Sequence, residues 1–241
     1  MTYLELINQV LIRLREEQAT SSSMDSNPFY RVIGAAVNDA KDIVEDSWDW
    51  GALRGTSLVT VTQGQSVVQI PASQSVAYRV TNILNTTSGS YLTPVSLDRI
   101  NYIYANDANN PVGQTAPSSY GFYPDYWDPT DDANANNGLQ QFRLANPSNA
   151  TVPLHINNVA RQPRLTVGLS RLKVPALPVY LLATAIASRE RGEIGGVPTG
   201  ELFAVAKKAM SDAIAVDSAR FSEELIWYNL SDMSQSNIGT A

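Results

Sequence analysis

The chain has 241 residues, 44 % hydrophobic and 17 % charged, with a net charge of −6, one histidine and no cysteine. That is ample apolar material for a core, so global disorder is excluded. The negative balance argues against a nucleic-acid-binding surface, which needs clustered Lys and Arg, and the lack of cysteine rules out disulfides, thiolate metal sites and cysteine nucleophiles.

Thr2 and Glu5 form a capping-box pattern, in which hydroxyl and carboxylate satisfy helix-start amides. Leu4, Ile7, Leu11 and Leu14 then share one face, predicting an amphipathic helix over residues 3–17. Charges interrupt its apolar pattern, so the opening does not read as a signal peptide. No apolar run reaches the ~20 residues that span a bilayer, so no membrane anchoring is expected. A polar linker, "ATSSSMDS", follows. Asn27 before Pro28 marks a second helix start, and Phe29, Val32, Ile33, Ala36, Val37, Ala40, Ile43, Val44 and Ser47 keep the helical period toward Trp48 and Trp50. These two helices are expected to pair antiparallel.

The pattern then turns β-branched and alternating. "SLVTVTQGQSVVQI" predicts a hairpin turning at Gln63-Gly64, and "YRVTNILNTTSGSYLTPV" a second one turning at Ser88-Gly89-Ser90. Ser96 is placed to cap a short helix that buries Leu97, Ile100, Ile103 and Tyr104. Residues 106–138, rich in Asn, Asp, Pro and Gly, read as long loops around short aromatic strands. "LQQFRLA" and "VPLHINNVARQ" return to strand character. From Pro178 a nearly all-apolar helix is expected to be the most enclosed, broken at Gly192, Gly195 and Gly196. Thr199 is expected to cap a last helix, carrying Leu202, Phe203, Ala206, Ala209, Met210, Ala213 and Ile214 and running to about Glu224.

Helices segregate to the ends and strands to the middle, which predicts an α+β fold. A helical bundle forms from the N- and C-terminal helices, with an antiparallel β-rich module inserted. The expected parts are 1–56, N-terminal helices; 57–170, the β-rich module with long loops; 171–224, C-terminal helices; and 225–241, a tail.

Chemistry is hard to find along this chain. "GEIGGVPTG" has glycines but no partner Lys, so it reads as a helix connection rather than a phosphate loop. The lone His155 sits in alternating "PLHINNV" and reads as a half-buried strand residue, not a base. "DANANNG" offers oxygens at Asp132, Asn134 and Asn136, but a calcium loop wants Gly sixth and Glu twelfth, where Asn137 and Arg143 stand. Asp125, Asp128, Asp131 and Asp132 read as solvated turns. No catalytic residue, metal site or cofactor is therefore expected. Tyr120, Phe122, Tyr123, Tyr126 and Trp127 form an aromatic cluster that reads equally as a local mini-core or as an anchor for a sugar or protein.

In order, "LELINQVLIRLRE", "VNDAKDIVEDSWDWGALR", a β-rich middle, "ASRERGEIGG" and "AMSDAIAVDSARFSEELIW" make the chain resemble the head-to-tail adaptors of short-tailed bacteriophages, also called tail tubular protein A. The resemblance covers about half the chain. It implies a structural virion protein and no enzyme, assembled in the bacterial host cytoplasm as a homo-oligomeric dodecamer. Such a ring lies between the portal protein and the tail nozzle protein, with tail fibres as further neighbours and DNA passing through the lumen without specific binding. Another tail ring (stopper or nozzle) and a glycan-binding tail module are the alternatives.

On this reading Trp48 packs inside the bundle, and Trp50 covers the junction with the β module. Arg189, Glu190, Arg191 and Glu193 alternate in sign after an apolar helix and are assigned to the subunit interface. Leu225, Ile226, Trp227 and Tyr228 are assigned to portal contact, and Tyr120, Phe122, Tyr126 and Trp127 to nozzle or fibre contact.

Overall fold

A computed structural model describes residues 1–24, 26–69, 78–106, 121–125, 141–145, 150–192 and 199–220. The fold is α+β. The chain divides into two compact units: Met1–Ala52 with Arg164–Ala241, and Leu53–Pro163.

The first unit is helical. α1 (Tyr3–Arg13) starts at the capping box, with the Thr2 amide donating to Glu5 Oε2 at 2.9 Å and the Glu5 amide to Thr2 Oγ1 at 3.3 Å. It stops four residues short of the expected Glu17, because Leu14 caps it and Arg15 takes a left-handed φ of 58°. The linker is then tied back: Asn8 Nδ2 donates to Ala19 O and Asn8 Oδ1 accepts from the Ala19 amide. α2 (Pro28–Ser47) is capped by Asn27 as expected.

α2 buries Tyr30, Ile33, Ala36, Val37, Ala40 and Val44, while Val32 and Ile43 remain 48 % exposed. The true buried stripe therefore turns slightly and takes in polar residues. Lys41 is fully buried, with its ammonium 3.2 Å from Glu45 and 2.9 Å from Asp42. Neutralising carboxylates are what make such a burial tolerable.

α4 (Ala176–Glu190) and α5 (Thr199–Arg220) complete this unit. α4 packs against α1, α2 and α5, so it is the central helix. It ends where Gly192 adopts φ 66°, donating its amide to Arg189 O; a side chain there would be strained. α5 begins at Thr199 itself, and Ala206 is its one residue classed as buried among those described.

The second unit is a sandwich of two four-stranded sheets. β1 (Arg54–Val61), β8 (Val152–Ala160), β3 (Tyr78–Asn85) and β4 (Ser90–Tyr91) form one sheet in that order. β2 (Val67–Gln69), β7 (Gln141–Leu144), β6 (Gly121–Asp125) and β5 (Thr93–Pro94) form the other. Val61, Ile83, Val152, Leu154 and Ile156 from the first face Val68, Phe122, Phe142 and Leu144 from the second, with Leu92 among them.

The second predicted hairpin is present: β3 and β4 pair antiparallel, and Asn85 Oδ1 accepts from the Thr87 and Ser88 amides in its turn. The first is not. β1 pairs with β8 and β2 with β7, so the chain turns at Gln63-Gly64 and crosses between sheets. Val61 and Val68 thereby reach one core from opposite sides. The Gln65 side chain ties this corner, accepting from the Thr62 amide at 3.1 Å and donating to Val67 O at 2.9 Å. The module is also not wholly antiparallel, since β5 and β6 run parallel. α3 (Leu97–Asn106) lies in the connection between them, as a parallel pair requires a crossover. Ser96 Oγ accepts from the Arg99 amide at its start, and Ile100 is buried, but Leu97 is 38 % exposed.

Candidate assembly surfaces

The two tryptophans at the end of α2 separate in role. Trp50 is the buried one, 1 % exposed, with Nε1 donating to Val44 O at 2.7 Å. Trp48 is the helix C-cap and only half-buried. Trp50 thus lies in the core, while Trp48, expected inside the bundle, lies at its edge. The reason is local: Trp48 leaves the helix in an extended conformation, with φ −158°, and its indole reaches α5 instead of the bundle interior.

Its partner is Asp217. One carboxylate oxygen, Oδ2, accepts from Trp48 Nε1 at 3.1 Å and from the Gly51 amide at 3.0 Å. This ties the exit of α2 to the last turns of α5, about 170 residues later in the chain. Sequence reasoning missed Asp217, which is one acid among several on an exposed helix.

The charged end of α4 is partly consumed within the chain. Arg191 Nη2 lies 2.7 Å from Glu16 Oε1, and its guanidinium stands 5.4 Å over the Phe29 ring. Arg189 lies 5.7 Å over Phe203, and Arg13 lies 4.4 Å over Tyr180. These stacked cations fasten α4 to α1, α2 and α5. Glu190 is exposed. Glu193 lies outside the described residues.

The aromatic cluster is only partly described. Phe122 is 2 % exposed and packs edge-on to Phe142, with centroids 6.4 Å apart at 84°. Its ring belongs to the sandwich core and is not offered to a nozzle or fibre. Tyr120, Tyr126, Trp127, the "DANANNG" loop and Leu225, Ile226, Trp227 and Tyr228 lie outside the described residues. His155 is on β8 as expected but exposed, opposite Leu58 and Leu84. Among the described residues no group of His, Asp and Glu is placed to hold a metal ion, and no helix is long and apolar enough to cross a membrane. The Glu5 carboxyl has its pKa lowered, chiefly by the hydrogen bond from the Thr2 amide.

The geometry shows helix faces, ties and stacked cations spread across the whole helical unit. Residues 1–219 match the SU10 adaptor protein family, a span that takes in the described parts of both units up to the end of α5. The chain belongs to the SU10 adaptor protein family. This is a phage adaptor family, a structural class of virion component and not a class of enzyme. A search of curated proteins gives no match. Membership of this family implies interaction with other phage head and tail components.

Proposed function

We propose that this SU10 adaptor is a subunit of a dodecameric ring held between the portal protein and the tail nozzle, through which DNA passes during ejection. The observation that carries the reading is the family match across residues 1–219, which includes both helical ends of the chain. An adaptor has to bind two different neighbours while keeping its own shape. The Asp217 tie and the Arg191–Glu16 pair support that demand, because they brace chain segments far apart in sequence.

In this reading the tail residues Leu225, Ile226, Trp227 and Tyr228 engage the portal. Tyr120, Tyr126 and Trp127 face the nozzle or fibres, and Glu190 and Glu193 contribute to subunit contacts. The net charge of −6 per chain favours a lumen to which DNA does not adhere. Electron microscopy of the portal ring mixed with the adaptor tests the proposal. A second ring of density stacked on the portal supports it. Portal rings unchanged by a folded adaptor refute it. Deleting the residues from Ser222 onward should remove the second ring and leave the adaptor's melting temperature unchanged.

A further inference from the structure

The helical unit carries two exposed stripes that none of the contacts above uses. On α2, Val32, Asp39 and Ile43 share one face, and Val32 and Ile43 are each 48 % exposed. On α5, Val205, Lys208, Asp212 and Val216 share one face, with Val205 53 % and Val216 58 % exposed. In each stripe the two exposed aliphatic side chains are eleven residues apart, about 16 Å along a helix rising ~1.5 Å per residue. A single exposed Val needs no explanation, but two helices with the same spacing make a matched pair. α4 packs against both α2 and α5, so the two stripes belong to different helices of the same unit.

We infer that the α2 stripe of one copy docks antiparallel on the α5 stripe of the next copy. Charge selects the direction. Antiparallel alignment sets Val32 over Val216 and Ile43 over Val205, which brings Asp39 beside Lys208 and leaves Asp212 facing the exposed Ala35. Parallel alignment with the same apolar contacts sets Asp39 against Asp212, a like-charge clash. Asp39 already meets Arg164 at 2.8 Å. Even so, Asp39, Asp42 and Glu45 share only Lys41 and Arg164 in these ion pairs, with Lys41 and Glu45 buried beneath, so the cluster keeps an excess carboxylate toward an incoming lysine.

Val216 also lines a groove of about 390 Å³ between α5 and the start of α4, together with Pro175, Leu177, Pro178 and Ala213. That groove gives the neighbour's Val32 an apolar seat. Since the two faces differ, the contact is head-to-tail, the kind that closes into a ring when the rotation per subunit permits. The inference rests on the ring reading above and names the surface by which the ring would close.

The chain has no cysteine, so the introduced thiols are the adaptor's only ones, and each single-cysteine variant serves as the control for cross-links to the portal. Val32→Cys combined with Val216→Cys, assembled on the portal and oxidised with diamide, should give a ladder of covalent multimers on a denaturing gel. Val32→Cys with Val205→Cys should give none. A ladder from the second pair instead of the first overturns the antiparallel register. If the unmodified adaptor forms a ring on the portal and neither pair cross-links, the interface is wrong and the ring stands. If no ring forms at all, the proposed function fails and this contact with it. In parallel, Lys208→Glu should lower ring yield at least tenfold, and adding Asp39→Lys in the same chain should restore it. Loss without recovery contradicts the pairing.

Discussion

Asn38 and Leu165, 127 residues apart, hold each other by two hydrogen bonds: the Leu165 amide donates to Asn38 Oδ1 at 2.8 Å, and Asn38 Nδ2 donates to Leu165 O at 3.0 Å. The same Nδ2 also reaches Gly34 O and Tyr3 Oη. A buried amide in an apolar stripe thus pins the segment that re-enters the helical unit at Arg164 against α2 and α1. Just beyond, the Tyr3 and Leu4 amides at the start of α1 donate to Ser170 O and Gly168 O. Together these bonds close the helical unit around its returning segment.

Asn38→Ala should therefore cost far more than a surface substitution. It leaves the Leu165 amide and carbonyl buried without their partner, at about 1–3 kcal/mol for each such group. Urea unfolding should show a loss of roughly 2–6 kcal/mol. An unchanged midpoint would show that water or a shift of the backbone replaces the side chain.

The unequal depths of the two tryptophans give a paired test. Trp50→Ala removes a fully buried indole and should cost about 3–5 kcal/mol. Trp48→Phe keeps most of the bulk and removes only the donor to Asp217, so it should cost about 1 kcal/mol. Thermal melts that rank the two the other way would mean that Trp48 is the deeper anchor after all.

Much of the architecture was legible from periodicity and caps. The Thr2–Glu5 box, the Asn27-Pro28 start, a hairpin turn at Ser88-Gly89 (though Ser90 already belongs to β4) and the segregation of helices from strands all follow from local chemistry. What could not be read was long-range. "TVTQGQSVV" carries a true turn, but whether its flanks pair or part depends on β7 and β8, about 80 residues away. The parallel β5–β6 pair was hidden for the same reason. The residues that tie distant segments together were harder still. Asn38 was visible as a polar residue within an apolar stripe, and that is a usable signal. Asp217 offered none, because an acid on an exposed helix looks like any solvated one until Trp48 and Gly51 arrive.

Gly34 faces Tyr3 so closely that an added Cβ would collide with the tyrosine hydroxyl and lie 3.3 Å from Cζ. The tyrosine is buried and its hydroxyl accepts from Asn38, so it has little room to yield. Gly34→Ala should destabilise by about 1–3 kcal/mol, as overpacking does. The same change made in a Tyr3→Phe background should cost clearly less, as calorimetry of the double-mutant cycle will show.

The capping box sets a pH dependence. Because the folded-state pKa of Glu5 is depressed, its contribution is fully present above the ordinary glutamate range and is lost as pH falls through the lowered folded value. Glu5→Gln should therefore lower the melting temperature near neutrality and flatten this part of the acid limb. An acid limb identical in slope to that of the parent would show that Glu5 does not take part.

The most direct measurement is sedimentation velocity of the purified adaptor mixed with the portal protein from the same genome. The account predicts a single species heavier than the portal ring by about twelve copies of the 26.2 kDa chain. Separate boundaries for the portal and a folded adaptor, at micromolar concentrations of both, would contradict it.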